Sequence, residues 1–403
     1  RGELFQLPAG KIEAAFGAQH REQRYNYESN LGERLSSEST GKSEARFTEI
    51  GIPLLKDQPL AKLLSLTVAA RYERFDQRGD SALRDWSAGL GELGGFDVEQ
   101  LTGVNNDGTS GITGSDTTVS RSFSRTSPLA RLAWKPIDQL RLRATWGESF
   151  LVPQAQQQFG QLIMDDYTSR VLFNGGQLPD GVTQIVALSG PNANLKPQVA
   201  SVVTYGFDWS PTFATGLQLS ATYNRTTFDN YIGDPLSGLT YSEIFKDISK
   251  MPEGTFTLGE NGVMLWDNRA INFLGRRSRS VDTTASYYFG NDWGDWRIEL
   301  NAVRTLELTS RSLASMPTLS YADSELGPSK WAGDLFVGWE GNAWFASLGS
   351  HYSAAHRVLY PLSATATDYN DFIPNENPRT RSASYTTFDA QVGYRKHQRE
   401  GWL

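Results

Sequence analysis

Cysteine is absent from the 403 residues, which removes disulfide frameworks and thiolate metal sites at the outset. Histidine is scarce. His20, His351, His356 and His397 are too few and too scattered to suggest a metal centre. Positive charge is short as well: a formal net charge of -7 leaves no basic footprint of the kind nucleic-acid binding needs. No stretch approaches the roughly 18 to 20 apolar residues of a transmembrane helix, and mean hydropathy is -0.43. That shortage does not argue against a membrane protein. A barrel strand needs only about 10 tilted residues, of which every second one faces lipid, so mean hydropathy is blind to barrels. The chain starts at Arg1 with neither an initiator Met nor a charged-then-apolar export signal, so any targeting segment is expected upstream.

What the chain has instead is aromatic residues (12%), 11 Trp and 38 Gly, laid out with a period of two. Leu217, Leu219, Ala221 and Tyr223 alternate with Gln218, Ser220, Thr222 and Asn224. Leu140, Leu142, Ala144 and Trp146 alternate with Arg141, Arg143, Thr145 and Gly147. The same pattern runs through Trp296 to Ala302 and through Phe388 to Arg395. About twelve strands are expected, near 10–28, 41–56, 62–79, 119–135, 139–150, 197–210, 215–231, 268–290, 295–311, 328–340, 343–360 and 379–397. Their connections alternate in length. Short ones follow Leu55, Trp134, Trp209, Phe289 and Trp339; long ones occupy 80–118, 151–196, 232–267, 312–327 and 361–378. A soluble sandwich has no reason to gather its long loops at one end, whereas an outer-membrane barrel has short periplasmic turns and long external loops.

Seven of the 11 tryptophans, Trp134, Trp209, Trp293, Trp296, Trp339, Trp344 and Trp402, sit at or beside short turns. Amphipathic rings belong where acyl chains meet headgroups, so these residues are expected to form an aromatic girdle. The bland alternative, a plug of Trp at the end of a soluble β core, would leave the charged opposite face half-cored. That face carries Arg71, Arg131, Arg141, Arg143, Asp208, Asp282, Arg297, Glu299, Asp389 and Arg395. In a barrel they would line a wide, wet lumen, because an eight-stranded barrel is already filled by its own side chains.

Several passages resemble the TonB-dependent outer-membrane receptors. The clearest is Ser127-Pro-Leu-Ala-Arg-Leu-Ala-Trp-Lys-Pro136 followed by Leu140-Arg-Leu-Arg-Ala-Thr-Trp-Gly-Glu-Ser-Phe-Leu-Val-Pro153. Asn192-Ala-Asn-Leu-Lys-Pro197 before Tyr205-Gly-Phe-Asp-Trp209 is similar to a second passage, and Leu217 to Ile232 to the strand that follows it. Upstream, Ile52-Pro-Leu-Leu55 and Arg71-Tyr-Glu-Arg-Phe75 resemble two more. The resemblance spans nearly the whole chain. It implies an all-β transmembrane antiparallel barrel, with about 12 strands present of an expected 22 or so. Residues 1–403 then form a partial barrel domain, with the plug domain, the TonB box and the last strands outside it. The resemblance also implies a receptor in the outer membrane of a Gram-negative bacterium. Its partners would be outer-membrane lipid, TonB through the plug, and a small solute at the long loops. It implies no cofactor, a monomer, and charged lumen residues as candidates for salt bridges to the plug. The substrate could be a ferric siderophore, cobalamin or an oligosaccharide, and loop sequence does not rank them.

Other motifs carry less. Gly89-Leu-Gly-Glu-Leu-Gly94 has the spacing of a dinucleotide fingerprint, but Ser81 to Trp86 before it is a polar loop and not a buried strand. Gly103 to Asp116 fits no calcium loop. Asp165 and Asp166 are adjacent and diverge, and His351 and His356 are five apart. Tyr241 to Ser249 is weakly amphipathic and is expected to form a short packing helix within a loop. No nucleophile with a base and an orienting acid can be placed, so an outer-membrane enzyme is disfavoured. A passive porin would share the strands, and the extended loops favour the receptor over it.

Overall fold

The computed structural model describes residues 2–29, 35–85, 94–97, 100–101, 111–233, 241–246, 248–251, 253–311, 318–324, 327–357 and 381–395. In chain order the strands begin with β1 (Gly2–Leu7), β2 (Gly10–Ser29), β3 (Leu35–Gln58), β4 (Ala61–Asp85), β5 (Gly111–Ile137) and β6 (Leu140–Leu151). They continue with β7 (Gly160–Asp166), β8 (Gln184–Ser189), β9 (Gln198–Trp209), β10 (Leu217–Gly233), β11 (Phe256–Leu258) and β12 (Val263–Asp267). The last six are β13 (Ile271–Asn291), β14 (Gly294–Arg311), β15 (Leu319–Ser320), β16 (Trp331–Glu340), β17 (Trp344–Ser353) and β18 (Tyr385–Tyr394). Short helices α1 (Ala155–Gln158), α2 (Thr168–Phe173) and α3 (Tyr241–Lys246) lie in the connections. Among the described residues no helix is long and apolar enough to cross a membrane.

The expected alternating segments appear as β2 to β6, β9, β10, β13, β14 and β16 to β18. With β1 they form one antiparallel wall in the order β1-β2-β3-β4-β5-β6-β9-β10-β13-β14-β16-β17-β18. The short turns close one end of it; one of them, at Gly216, needs a glycine, since its φ is +91° and a Cβ would meet the Tyr288 carbonyl oxygen at 2.0 Å. Strands β2 to β5 have 20, 24, 25 and 27 residues. A membrane crossing takes only about 9 to 11, so they project well beyond any bilayer at the long-loop end.

Cross-strand register gives each face of the wall a continuous character. One row reads Leu140, Trp209, Leu219, Ala285, Leu300, Leu335, with Phe388 two strands further. The next row towards the short turns reads Leu217, Tyr287, Ile298, Val337, Leu348, Ala390. These side chains are open to the surroundings: Leu300 is 40% and Phe388 68% exposed. A water-soluble protein rarely shows an apolar surface this extended.

The segments between β6 and β9 and between β10 and β13, expected only as long loops, hold a second small sheet. Up to Gly79 the neighbour of β4 is β3; from Ser81 onward that edge pairs in parallel with β7. Strand β8 follows antiparallel to β7, β12 parallel to β8, and β11 antiparallel to β12. This cap is buried on both faces. Leu83, Leu162, Met164, Val186, Leu188, Val263 and Leu265 form one cluster. On the other face Ile185, Ala187, Met264 and Trp266 pack with Val171 of α2 and with Ile244 and Phe245 of α3.

Candidate functional site

The cap hangs on the charged face of the wall. Gly79 of β4 receives the Phe159 ring so closely that a Cβ there would lie 2.5 Å from it. The buried Gln158 donates through Nε2 to Gln77 Oε1 (2.6 Å) and to the Pro153 carbonyl (3.0 Å). Arg121 Nε donates to the Ala193 carbonyl at 2.6 Å. The Asn192 to Pro197 passage is the strap that completes this attachment. Asn192 Nδ2 donates to the Ala270 carbonyl (2.9 Å), and Leu195 is buried. Asn272 of β13 exchanges two hydrogen bonds with the Lys196 backbone, its Oδ1 accepting at 2.8 Å and its Nδ2 donating at 2.9 Å. Those two bonds imitate a β ladder where no strand continues.

Within the cap, Asp165 pairs with Arg170 at 3.3 Å, while Asp166 accepts from the Thr168 amide (2.8 Å) and from Gln184 (2.9 Å). The two carboxylates are turn anchors with separate partners. Burial works against ionisation of Asp166, but the Thr168 and Gln184 hydrogen bonds outweigh it and hold the carboxyl below its ordinary range. Burial pushes the phenol of Tyr241 up, and that of Tyr321 likewise. Trp266 is enclosed by the rings of Tyr167, Tyr241, Phe245 and Phe256. Further round, Asp323 is buried and takes a bidentate bond from Arg381 (3.1 and 3.2 Å), which ties the connection after β15 to the approach of β18. Arg357 Nε donates to the Asp323 carbonyl at 3.2 Å and reinforces the same clasp.

The wall beneath the cap carries a connected polar lining. Arg143 reaches across three strands: Nη2 donates to Asp208 Oδ1 (3.1 Å), Ser220 Oγ (2.9 Å) and Thr222 Oγ1 (2.8 Å). Gly206 stands between Arg143 and Thr222 in register, and its bare backbone lets the guanidinium lie across it. A Cβ at that position would come 2.3 Å from the Ala221 carbonyl oxygen. Asn224 donates to Asp282 on the next strand. Arg71 donates to Gln19 at 3.0 Å and pairs with Glu73 at 2.7 Å. Towards the short turns, Arg297 holds Glu299 in a fork (2.8 and 2.9 Å), and Tyr288 donates to the same carboxylate. Arg395 pairs with Glu340 and lies over the Phe345 ring. Tyr288, Arg297, Phe336, Glu340, Phe345 and Arg395 line a recess of about 640 Å³.

An outward apolar face, a charged face covered by a folded cap, and distinct long-loop and short-turn ends together describe the wall of a barrel. The model of the TonB-dependent receptor-like β-barrel family matches residues 2–402. The chain belongs to that family. Its fold is shared by the ferric enterobactin receptor PfeA of Pseudomonas aeruginosa, a Q482A mutant solved with enterobactin (12% identity, TM-score 0.51, 98% of this chain and 53% of that one). The ferric-catecholate import receptor Fiu of E. coli K12 is similar at 11% identity and TM-score 0.51, over 96% of this chain and 46% of that one. The copper transporter OprC is similar at 13% identity and TM-score 0.52, over 96% and 47%. The chain therefore spans about half the length of the solved receptors it resembles. No curated protein sequence matches it.

In this receptor barrel, register places all ten of the charged residues singled out from the sequence on one face. Arg141 is opposite Asp208, Arg131 opposite Thr67 and Thr145, Asp282 opposite Thr222, and Asp389 opposite Gly349. They are not one cluster. Arg143 and Asp208 meet, and Arg297 and Glu299 meet, while Arg131, Arg141 and Asp389 stand exposed. Of the tryptophans, Trp134, Trp209, Trp296, Trp339 and Trp344 lie on the apolar face at the short-turn end, and Trp296 is directly opposite Trp339. Trp293 sits in the β13–β14 turn, its carbonyl accepting from Trp339 Nε1 at 2.9 Å. Trp402 lies outside the described residues, as do Gly89 to Leu93 and most of Gly103 to Asp116. The 241–249 helix forms over Tyr241–Lys246, and Ile244 and Phe245 bury it. Sequence reasoning missed the cap strands, whose signal was present as short unbroken apolar runs: Ile185-Val-Ala-Leu188 and Val263-Met-Leu-Trp266. His351 meets Asp334 on the wall, and His356 meets Ser382 beyond the end of β17, so the two imidazoles do separate work.

Proposed function

We propose that this barrel forms the wall and outer roof of an outer-membrane receptor that takes up a scarce solute with energy coupled through TonB. The observation that carries the reading is the cap. Passive diffusion needs an open pore, yet here two long connections fold into a body with its own hydrophobic clusters and are bolted to the charged face of the wall. A fixed roof supports selective capture rather than sieving. The wall contributes the ten charged lumen residues, several of them already partnered along the wall, as candidate docking points for a plug. In this reading the protein acts as a monomer in the outer membrane of a Gram-negative bacterium, with its apolar face and tryptophans against lipid.

The solved neighbours named for ferric enterobactin and ferric catecholates favour a ferric siderophore as the first solute to test. The full-length protein, expressed in cells lacking their own siderophore receptors, is expected to restore growth under iron limitation on one such siderophore. Growth is expected to vanish when TonB is deleted. Restoration that persists without TonB would overturn the coupled mechanism in favour of a passive pore.

A further inference from the structure

On the apolar face, aromatic residues recur at the far end of the belt from the short turns. The row Ala144, Tyr205, Tyr223, Val281, Arg304, Trp331 is continuous in register, with Tyr205 stacked on Tyr223 at 4.7 Å. Arg304 lies 5.1 Å over the Trp331 ring. From Trp296 to Arg304 the strand rises about 27 Å at about 3.4 Å per residue, or about 20 Å once tilted by about 40°. That approaches the height of a lipid-facing band of about 25 Å. Tyr205, Tyr223 and Trp331 thus mark the second interface.

One row further out stand Trp146, Val203, Arg225, Arg279 and Glu307, and beyond Arg279 comes Arg277. Arg225 and Arg279 are directly opposite one another on neighbouring strands. Like charges in that position repel, since their Cβ atoms are only about 5 Å apart. Glu307 meets Arg279, with Arg277 at 4.0 Å, and answers one of the three positive charges. Arg225 has no carboxylate partner among the described residues, and Arg225, Arg277 and Arg279 are all exposed. The same face of β2 to β4 is built differently towards the long-loop end. There Lys42 meets Glu22 at 3.2 Å, Arg24 meets Glu38 at 3.1 Å, and Arg74 meets Asp76 at 3.0 Å. One sector is neutralised within the protein and the other keeps an excess of positive charge.

We infer that Arg225, Arg277 and Arg279, with Arg304 beneath them, form a docking site for the phosphate group of an outer-leaflet lipid. Guanidinium forks suit phosphate oxygens, and a basic group level with the headgroups attracts anionic lipid. The aromatic row below would receive the start of the acyl chains. This rests on the reading that the apolar face meets lipid.

The test is native mass spectrometry of the full-length protein in detergent, titrated with bisphosphorylated lipid A and, separately, with the same lipid dephosphorylated. Wild-type protein is expected to retain the phosphorylated form preferentially. Arg225→Gln with Arg279→Gln is expected to lower its occupancy about tenfold, while Arg24→Gln with Lys42→Gln in the balanced sector leaves it unchanged. Glu307→Gln, which raises the net charge of the group, is expected to increase occupancy about threefold and keeps the test open should the double variant not assemble. Equal retention of both lipids by the wild type, or full retention by the double variant, overturns the site. Recovery of the protein in a soluble fraction without detergent would instead overturn the membrane reading itself, a result the lipid titration cannot produce.

Discussion

The wall and the cap spend their apolar residues in opposite ways. In the wall, Leu300 and its row neighbours point outward and the charged side chains gather on the other face; in the cap, Leu265 is 2% exposed and both faces of the sheet are covered by protein. The wall therefore depends on a solvent supplied from outside, whereas the cap carries its own. In the proposed membrane setting the outward side chains of the belt meet hydrocarbon, which makes the stability of the wall a property of protein and bilayer together. The cap is stabilised as any soluble core is, by close packing.

Mutations can sharpen that contrast. The largest effect is expected from Leu265→Ala, which leaves a cavity in the cluster it forms with Leu83, Met164 and Val186 and costs about 2 to 5 kcal/mol of local stability. Hydrogen exchange should rise in Gln184–Ser189 and Val263–Asp267 while the barrel keeps its resistance to unfolding in detergent. Leu300→Arg should do the reverse. A charge at mid-belt costs about 2 to 4 kcal/mol, and heat-modifiable gel migration should show impaired assembly with no cap-specific change. A cap that loosened equally in both variants would break the distinction. Asn272→Ala removes both bonds to the Lys196 backbone and is expected to cost about 1 to 2 kcal/mol. Its readout is proteolysis at the strap. Arg143→Ala should cost only about 1 kcal/mol, because its partners remain half-exposed to water. A thermal melt in detergent would check it.

The smallest effect is a pH dependence confined to the cap. Asp166 ionises more readily when folded than unfolded, so its contribution is present above the ordinary carboxylate range. It is lost as pH falls through the lower folded value. Proteolysis of the cap should accelerate slightly on acidification below about pH 4, the ordinary Asp value, and Asp166→Asn should remove that dependence.

The contrast also accounts for what could be read without coordinates. Wall strands announce themselves because two environments impose two chemistries on alternate residues, as in Leu217 to Asn224. The signal stops where the environments become alike. In Ser36-Ser-Glu-Ser-Thr40 both faces of β3 are polar, so the strand begins at Leu35, six residues before the position 41 that alternation marks. The cap fails for the complementary reason: both faces are apolar, and Ile185 to Leu188 shows a run rather than a rhythm. The charged side chains of the lining could be assigned to a face by parity alone. Which of them touch could not, because Arg143 bridges to Ser220 and Thr222 across a bare Gly206 that nothing in the local pattern marks.

Strand β4 belongs to both sheets, exchanging β3 for β7 along the same edge between Gly79 and Ser81. The roof is consequently hinged to its building by a continuous beam. Lifting it clear would mean tearing the parallel ladder from Ser81 to Asp85, and the order β4-β7-β8-β12-β11 makes β11 the eave, the edge that stands furthest from that beam.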